Sequence, residues 1–279
     1  MNRELKDISS KLETSLVEVF AKIHDAADLL RINFFCIGAT ALLIMIKYYY
    51  ENKIRLRITQ DVDFGIMIDN WDSFDKLKNT LVEKFGFNDT NKIHRVTCNG
   101  ITIDIIPFGL IGGNNIKWPN SETKLMVLGF EEAFEHSIPV KIKNDPEIIL
   151  NFASIPGIAI LKLIAWYDSF PARQKDAEDI SIIINNYSDF GNMERLFNEE
   201  GDIVSDENTD YNIASARLLG RDIKRMSNDN TLEILREILD PGNVRFDHLI
   251  QNMLEGQYEE SRFEEVKKVL LSLYRGLSD

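Results

Sequence analysis

The sequence predicts an α+β (α/β) protein, with an N-terminal half built on a mixed sheet with flanking helices and a helical C-terminal half. Two observations support this prediction. Segments with strand and helix periods alternate up to about residue 107, and from Pro156 onward the spacing of apolar residues is helical almost to the end. A chain of 279 residues is long enough for one large or two modest domains. We therefore assign residues 1–150 to one domain and 151–279 to a second.

The first half alternates between helical and strand-like spacing. Apolar residues at three- and four-residue steps indicate helices, and short continuous or alternating apolar runs indicate strands. These patterns predict helices over 5–30 with a break near Asp25, 39–50 and 72–85, and strands over 34–37 and 61–68.

The clearest hairpin of the sequence follows these elements. Predicted strands over 95–98 and 101–106 flank Asn99-Gly100, a dipeptide favoured in type I′ turns because both positions tolerate a positive φ. Pro107 is expected to close the second strand, because proline cannot donate to a sheet ladder.

Loop and helix signals dominate the rest of the chain. Glycine and asparagine residues predict a long loop over 108–125, and the pattern of residues 126–144 is ambiguous. The apolar spacing then predicts helices over 156–168, 173–187, 211–227, 230–239 and 262–276, with a polar break over 199–210.

The composition argues against several classes of protein. A net charge of −13 argues against a general nucleic-acid coat, but it permits a local basic groove and carboxylates held together by a divalent metal. No apolar run approaches the ~20 residues of a transmembrane helix, and the polar residues 1–13 fit no signal peptide. Cys36 and Cys98 fall in apolar strand-like runs, which indicates core thiols rather than a disulfide or a zinc site. We expect a cytoplasmic protein that does not enter a membrane.

Gly38-Ala39-Thr40 forms the junction between the first predicted strand and the helix after it. A glycine and a small residue allow a ligand to approach the backbone, and N–H groups at a helix N-terminus favour a phosphate. Thr40 adds a hydroxyl group. The same residues also fit a tight turn without a ligand, so the sequence leaves both interpretations open.

Three acids, Asp61, Asp63 and Asp104, are candidate metal ligands. Asp61 and Asp63 lie two residues apart on a predicted strand, so their carboxylates project from one face, where a divalent cation relieves their repulsion. Asp104 lies in a strongly apolar strand, where a carboxylate requires a partner, hydrogen bonds or a metal. The alternatives are solvated aspartates at a strand end and, for Asp104, an edge strand that faces water.

The order of these motifs resembles the nucleotidyltransferase superfamily of polymerase β-like folds, and the resemblance covers residues 34–107. It implies that the three acids hold two Mg²⁺ ions and that the phosphates of an NTP are held by the turn, through Gly38, Ala39 and Thr40. Gly38-Ala39 departs from the more usual Gly-Ser or Gly-Gly of this superfamily. The segment between Gly38 and Asp61 is also longer than in minimal members.

Further motifs resemble the AbiEii-type nucleotidyltransferases, the toxin subunits of bacterial abortive-infection and toxin–antitoxin pairs. Residues 162–165 and 175–179 resemble that group's K-L-x-A … K-D-x-x-D block. Residues 38–42 and 57–64 resemble its G-[GA]-T-A-L and R-x-T-x-D-[IV]-D-[FL] patterns.

The AbiEii resemblance implies transfer of an NMP from an NTP to an acceptor, which is a tRNA 3′ end for characterised toxins, and a cognate antitoxin as partner. It also implies that Lys162 contacts the triphosphate and that Asp176 assists catalysis or orients Lys162. The helical domain would then complete the nucleotide site and bind the acceptor. From the residues alone, Lys162 also fits a lysine reaching water, and Asp176 also fits a charge at a helix N-terminus.

The sequence therefore predicts a Mg²⁺-dependent nucleotidyltransferase acting on RNA. Transfer to a small molecule or protein, and a nucleotide-binding regulator without turnover, stay open as rivals. Arg57, with Arg55 on the same face, either meets the triphosphate or neutralises the three acids. Four basic residues with helical spacing form a basic stripe: Arg217, Arg221, Lys224 and Arg225. This stripe either guides RNA or is a solvated helix face paired with nearby acids.

Overall fold

The computed structural model describes residues 5–56, 59, 61–119, 121–122, 124–206, 210–254 and 259–279. The chain forms two compact units, Met1–Ser154 and Ile155–Asp279. Within the described residues, the first unit contains every strand and the second is helical, which confirms the predicted α+β class. No helix of the described residues combines the length and the apolar character needed to cross a membrane.

The first unit places helices and strands in alternation around one large sheet. In chain order its described elements are β1 (Lys6–Asp7), α1 (Thr14–Leu30), β2 (Asn33–Ile37), α2 (Gly38–Ile44) followed by a π-helical turn (Met45–Tyr49), β3 (Asp61–Met67), α3 (Trp71–Phe85), β4 (Asn88–Asp89), β5 (Arg95–Cys98), β6 (Ile101–Phe108), β7 (Asn115–Lys117), β8 (Lys124–Met126), α4 (Phe130–Glu135), β9 (Ile138–Asn144) and β10 (Glu147–Phe152).

The large sheet is mixed. Its strand order over the described residues is β1-β9-β10-β2-β3-β6-β5-β4, and β7 pairs separately with β8. Strand β3 runs antiparallel to β2 and parallel to β6, whereas β5 and β6 form an antiparallel hairpin. Because β6 lies between β3 and β5, Asp104 is in the interior of the sheet, and the edge-strand alternative for it is wrong.

One face of strands β3 and β6 is apolar and buried. Val62, Phe64, Ile103 and Ile105 point to this face and are at most 3% exposed. Phe20 of α1 packs edge-on against Phe64. Burial of this kind contributes about 25 cal/mol per Å² of apolar area. If the pairing register of a strand shifted by one residue, these apolar side chains would move to the other face of the sheet. Their burial therefore also fixes the register in which the aspartates lie on the polar face.

The helix predicted over 5–30 is only partly correct. Lys6–Asp7 pairs with β9 as a short strand, and the N–H of Ile8 donates to the carbonyl oxygen of Lys141. Helix α1 begins at Thr14 and continues through Asp25 without the predicted break. Pairing with a distant strand therefore overrides the helical spacing of the first residues.

The predicted hairpin is confirmed, but its second strand is longer than expected. Asn99 and Gly100 have φ values of 53° and 76°, as a type I′ turn requires. Strand β6 continues through Pro107, which pairs with Ile66 of β3. The N–H of Ile105 points towards β5, and the nitrogen of Pro107, two residues later, faces the same side of β6. Because β5 pairs with β6 only as far as Asp104, the sheet needs no hydrogen-bond donor at Pro107.

The loop predicted over 108–125 is wrong in part, because it contains β7 and the first residues of β8. Residues 126–144, whose pattern is ambiguous in the sequence, contain α4 and β9. Strands of three residues are too short to produce a period, and only their pairing identifies them.

The second unit consists of helices in its described residues. They are α5 (Ile155–Asp168), α6 (Gln174–Asn185) followed by a 3₁₀ turn (Tyr187–Asp189), α7 (Met193–Asn198), α8 (Gly201–Asp206), α9 (Tyr211–Met226), α10 (Asp229–Leu239), α11 (Phe246–Met253) and α12 (Glu260–Gly276). Helix α8 lies inside the polar segment predicted as a break. Gly220 of α9 and Gly276 of α12 allow close packing, since a Cβ on Gly220 would lie 2.3 Å from the carbonyl oxygen of Leu273.

Candidate active site

Asp63, Asp104 and Arg95 lie in one row across three adjacent strands. Asp63 of β3 pairs in register with Asp104 of β6, and Asp104 pairs with Arg95 of β5. Register partners project from the same face of a sheet, so these side chains are neighbours. The fold thus brings together two of the three acids and adds a cation that the sequence analysis did not single out.

Asp61 lies in the adjacent row of the same face. It pairs in register with Thr102 of β6, which pairs with Thr97 of β5. Asp61 is exposed, whereas Asp63 and Asp104 are half-buried. We call these two rows, which carry the three acids, Arg95 and the two threonines, the acid face.

The backbone of Asp61 is held by two hydroxyl groups. The Thr40 hydroxyl donates to the carbonyl oxygen of Asp61 at 2.7 Å, and the N–H of Asp61 donates to the Thr59 hydroxyl oxygen at 3.2 Å. Thr40 is only 5% exposed. The hydroxyl that the sequence assigned to a phosphate therefore supports the first residue of β3.

Gly38 is required at the start of α2 for two reasons. Its φ of +72° lies in the left-handed region, which disfavours residues with a side chain. A Cβ at this position would lie 2.1 Å from Oδ2 of Asp63, so the glycine leaves the space that the Asp63 carboxylate fills. Ala39 follows as a half-buried residue of the first turn. The turn and the acid face are therefore in direct contact.

Asp104 is held by a two-pronged ion pair with Arg95. Nε of Arg95 donates to Oδ1 and Nη2 donates to Oδ2, both at 2.6 Å. The hydrogen bonds to Asp104 raise the pKa of Arg95, and the negative charges of Asp61 and Asp63 raise it further. Nε2 of His94 lies 3.9 Å from Oδ1 of Asp104. One guanidinium thus lies within the field of all three acids.

Lys162 lies in a buried ion cluster of the helical unit. Its Nζ lies 3.0 Å from Oδ1 of Asp176 and 2.6 Å from Oδ2 of Asp179, and Arg173 also donates to Asp176. Burial raises the pKa of Asp176, but the charge of Lys162 and the hydrogen bond from Arg173 outweigh it, so the pKa falls below its usual value. The alternative of a lysine that reaches water is wrong, because Lys162 is only 5% exposed.

The profile of the family described as nucleotidyl transferase AbiEii toxin, type IV TA system, matches residues 25–252. The match includes the acid face and the Lys162 cluster. The chain belongs to the AbiEii family. The resemblance drawn from its motifs is thereby confirmed, and the protein is a nucleotidyltransferase. Membership in this family implies an NTP as substrate and an antitoxin as partner.

Two solved structures are similar to this AbiEii-family chain. The solution structure of the antibiotic-resistance factor ANT(2'')-Ia is 13% identical, with a TM-score of 0.38, and the match covers 71% of this chain and 98% of that one. The crystal structure of an antigenic nucleotidyltransferase-like protein from Paracoccidioides brasiliensis is 17% identical, with a TM-score of 0.39, and the match covers 70% and 93%. No curated protein sequence matches the chain. Because both TM-scores are low, the assignment rests on the family match.

Members of nucleotidyltransferase families generally use a divalent metal, and the acid face fits such an ion in donor type but only partly in geometry. Carboxylate oxygens are the ligands that Mg²⁺ prefers. Within the described residues, however, no three His, Cys, Asp or Glu side chains surround a common point that could hold a metal. Both oxygens of Asp104 accept hydrogen bonds from Arg95. The three acids therefore suit a cation in donor type, and Asp104 is engaged by Arg95 in this structure.

The three arginines of the basic stripe of α9 are paired with acids of their own unit, and Lys224 donates to the carbonyl oxygen of Ser278. Asp279 accepts from Arg217 and Arg221, and Glu200 accepts from Arg221 and Arg225. Further acids, Asp202, Asp206 and Asp222, complete the network. Of the two interpretations of the stripe, the structure favours a face paired with acids.

The structure describes one of the two arginines before β3 that the sequence singled out. Arg57 lies outside the described residues, and Arg55 is exposed and outside any strand.

Cys36, next to the acid face on β2, is buried, and burial followed by the charge of Asp63 raises the pKa of its thiol well above the usual value. Cys36 and Cys98 are both buried, unpaired thiols, as predicted.

Proposed function

We propose that this nucleotidyltransferase transfers an NMP from an NTP to the 3′ end of an RNA, most directly a tRNA, with Mg²⁺ held by the three acids. The observation that carries the proposal is the acid face. Asp63 and Asp104 are register partners on adjacent strands, and Asp61 lies two residues before Asp63 on the same face. Carboxylates concentrated in this way repel one another unless a cation joins them.

The three acids and the residues of the Gly38 turn each have a proposed role. Asp61 and Asp63 hold the ion at the NTP, and all three acids hold the second. When bound, these ions neutralise phosphate charge and lower the pKa of the acceptor hydroxyl. The backbone of Gly38 and Ala39 binds the phosphates. The hydrogen bond from Thr40 to the backbone of Asp61 supports a positioning role for Thr40 in addition to the predicted phosphate contact.

Lys162 and Asp176 remain proposed functional residues of the helical unit. The AbiEii motifs support a triphosphate contact for Lys162. The 3.0 Å contact between Lys162 and Asp176 supports the second of the two roles considered for Asp176, which is to orient the lysine. We likewise keep 1–150 as the proposed catalytic domain and 151–279 as the proposed acceptor-binding domain that completes the nucleotide site.

The RNA acceptor is supported by family membership rather than by surface charge. The basic stripe no longer argues for RNA, because its arginines are paired with acids. Characterised toxins that the motifs resemble act on tRNA 3′ ends. The rival acceptors, a small cationic molecule and a protein side chain, therefore belong in the same assay.

The test is transfer of label from each α-labelled NTP to total tRNA, total protein and an aminoglycoside in Mg²⁺. We expect tRNA labelling by the wild type and a roughly 10²- to 10³-fold lower rate for Asp63→Asn, as for loss of other charge-stabilising contacts. Asp69→Asn, an exposed acid two residues beyond β3, is the matched control and should retain wild-type labelling. Equal labelling by wild type and Asp63→Asn would contradict the assignment of the acids. Labelling of protein or aminoglycoside alone would contradict the RNA acceptor and leave the transferase intact.

A further inference from the structure

The acid face contains a cation of its own, Arg95. Its guanidinium holds both oxygens of Asp104 through two hydrogen bonds, in the geometry that Arg and carboxylate groups prefer. The pair is partly exposed, with 28% of the Arg95 side chain and 14% of the Asp104 side chain accessible. A partly exposed pair can open without leaving a charge buried in an apolar core.

Arg95 and a metal ion compete for the same carboxylate. Each Asp104 oxygen keeps a lone pair beside its bond to Arg95, but a divalent ion placed there would lie next to a like charge. The guanidinium stays charged at any physiological pH, so protonation cannot relieve this repulsion. The ion pair must therefore open before all three acids can share a cation.

The position of Arg95 also suits a second anionic partner. Arg95 lies in the same row as Asp104 and Asp63, and Asp63 in turn contacts the Gly38 turn. The planar fork that matches a carboxylate matches a phosphate equally well. An NTP bound at the acid face would therefore bring to Arg95 a competitor for Asp104.

We propose that Arg95 is a positioning residue that holds Asp104 as its counter-ion in the nucleotide-free enzyme and exchanges it for a phosphate when the NTP binds, which frees Asp104 for the metal. This inference rests on the proposed function of the three acids. Binding of the nucleotide and of the metal at Asp104 are then coupled, because each removes an obstacle to the other. The plain alternative is a cross-strand ion pair that only stabilises the sheet.

The test is a Mn²⁺ titration of the full chain without nucleotide, followed by electron paramagnetic resonance, for the wild type and for Arg95→Met. Removal of the competing cation should tighten Mn²⁺ binding about fivefold to tenfold, the size of effect expected from one charge-assisted ion pair. Arg95→Lys, which keeps the charge and loses the fork, should fall between the two. Binding of a non-hydrolysable NTP analogue, measured by calorimetry, should weaken in Arg95→Met. A purely structural pair would produce neither change.

Matched variants separate field effects and folding from the proposed exchange. Lys78→Met removes one positive charge near His94, where Lys78 pairs with Asp89 rather than with the acids, and should leave the Mn²⁺ affinity unchanged. Adding Asp104→Asn to Arg95→Met should abolish the gain. Thermal unfolding of each variant establishes that the titrated protein is folded.

The outcomes distinguish this inference from the proposed function. If Asp63→Asn loses Mn²⁺ but Arg95→Met binds no more tightly than the wild type, Arg95 is structural and the inference is overturned while the metal site stands. If Asp63→Asn binds Mn²⁺ as the wild type does, the metal does not use the acids and both proposals fail. Tighter Mn²⁺ binding together with weaker binding of the NTP analogue in Arg95→Met supports the exchange.

Discussion

The acid face of the sheet and the ion cluster of the helical unit both combine carboxylates with cations, but they differ in burial and in how fully the charges are paired. On the acid face, three carboxylates lie in two adjacent rows, Arg95 forms an ion pair with Asp104, and the acids remain partly accessible. In the helical unit, Asp176 and Asp179 are matched by Lys162 and Arg173, and the first three of these side chains are at most 6% exposed. Neighbouring carboxylates repel one another until a cation joins them, whereas the charges of a paired cluster are compensated without a ligand, and loss of one partner leaves a buried charge uncompensated.

The largest expected effect is loss of the buried cation in Lys162→Met. The change removes the positive charge that compensates the buried carboxylates of Asp176 and Asp179, so the free energy of unfolding should fall by about 3–5 kcal/mol. Urea denaturation measures this free energy of unfolding. Lys175→Met replaces an exposed lysine of α6, the helix that carries Asp176 and Asp179, and should change the free energy of unfolding by less than about 1 kcal/mol. If both variants are equally stable, the cluster does not stabilise the fold, and the contrast with the acid face fails.

Replacement of Gly38 by alanine should affect the acid face next most strongly. Gly100→Ala is its matched control, because both glycines have a positive φ but a Cβ on Gly100 meets nothing within 4 Å. Each variant should lose about 1–2 kcal/mol of unfolding free energy from backbone strain. Only Gly38→Ala also displaces the Asp63 carboxylate, so only it should lose NMP transfer in the labelled-NTP assay. Equal transfer by the two variants would argue against a role for the exact position of Asp63.

Acid pH should weaken the helical cluster through Asp176. Its pKa is lower in the folded protein than in the unfolded chain, so the carboxylate contributes stability above the unfolded value, which is about 3.9. That contribution is lost as the pH falls below about 4 through the folded pKa. Unfolding free energies measured from pH 6 down to pH 3 should therefore fall less steeply in Asp176→Asn than in the wild type. Parallel curves would contradict the pairing with Lys162.

The smallest expected effect has the opposite sign. Asp61→Asn removes one charge from the exposed end of the acid face and preserves the shape of the side chain. Relief of repulsion should raise the free energy of unfolding by between zero and about 1 kcal/mol, although transfer activity should fall. A clear loss of stability would mean that the acid face is balanced after all, and would remove its contrast with the helical cluster.

Local spacing predicted much of this protein. The strand that carries Asp61 and Asp63, the turn at Asn99-Gly100 and most of the long helices were confirmed, because each has a period or a turn residue of its own. The motifs were also sufficient for the family, which the match to residues 25–252 confirms. The assignment of individual residues to metal, phosphate and acceptor stays a prediction.

Tertiary structure alone decided which charges meet. Periodicity indicated a basic stripe on α9, but only the folded chain brings Asp279 and Glu200 to its arginines. The sequence gives no sign that Arg95 stands opposite Asp104, because that pairing follows from the register of a hairpin and of a parallel strand together. The sequence by itself determined the local elements and the types of group available, since these depend on neighbours in the chain. The partners of those groups depend on contacts between distant segments, which exist only after the sheet and the helices have packed.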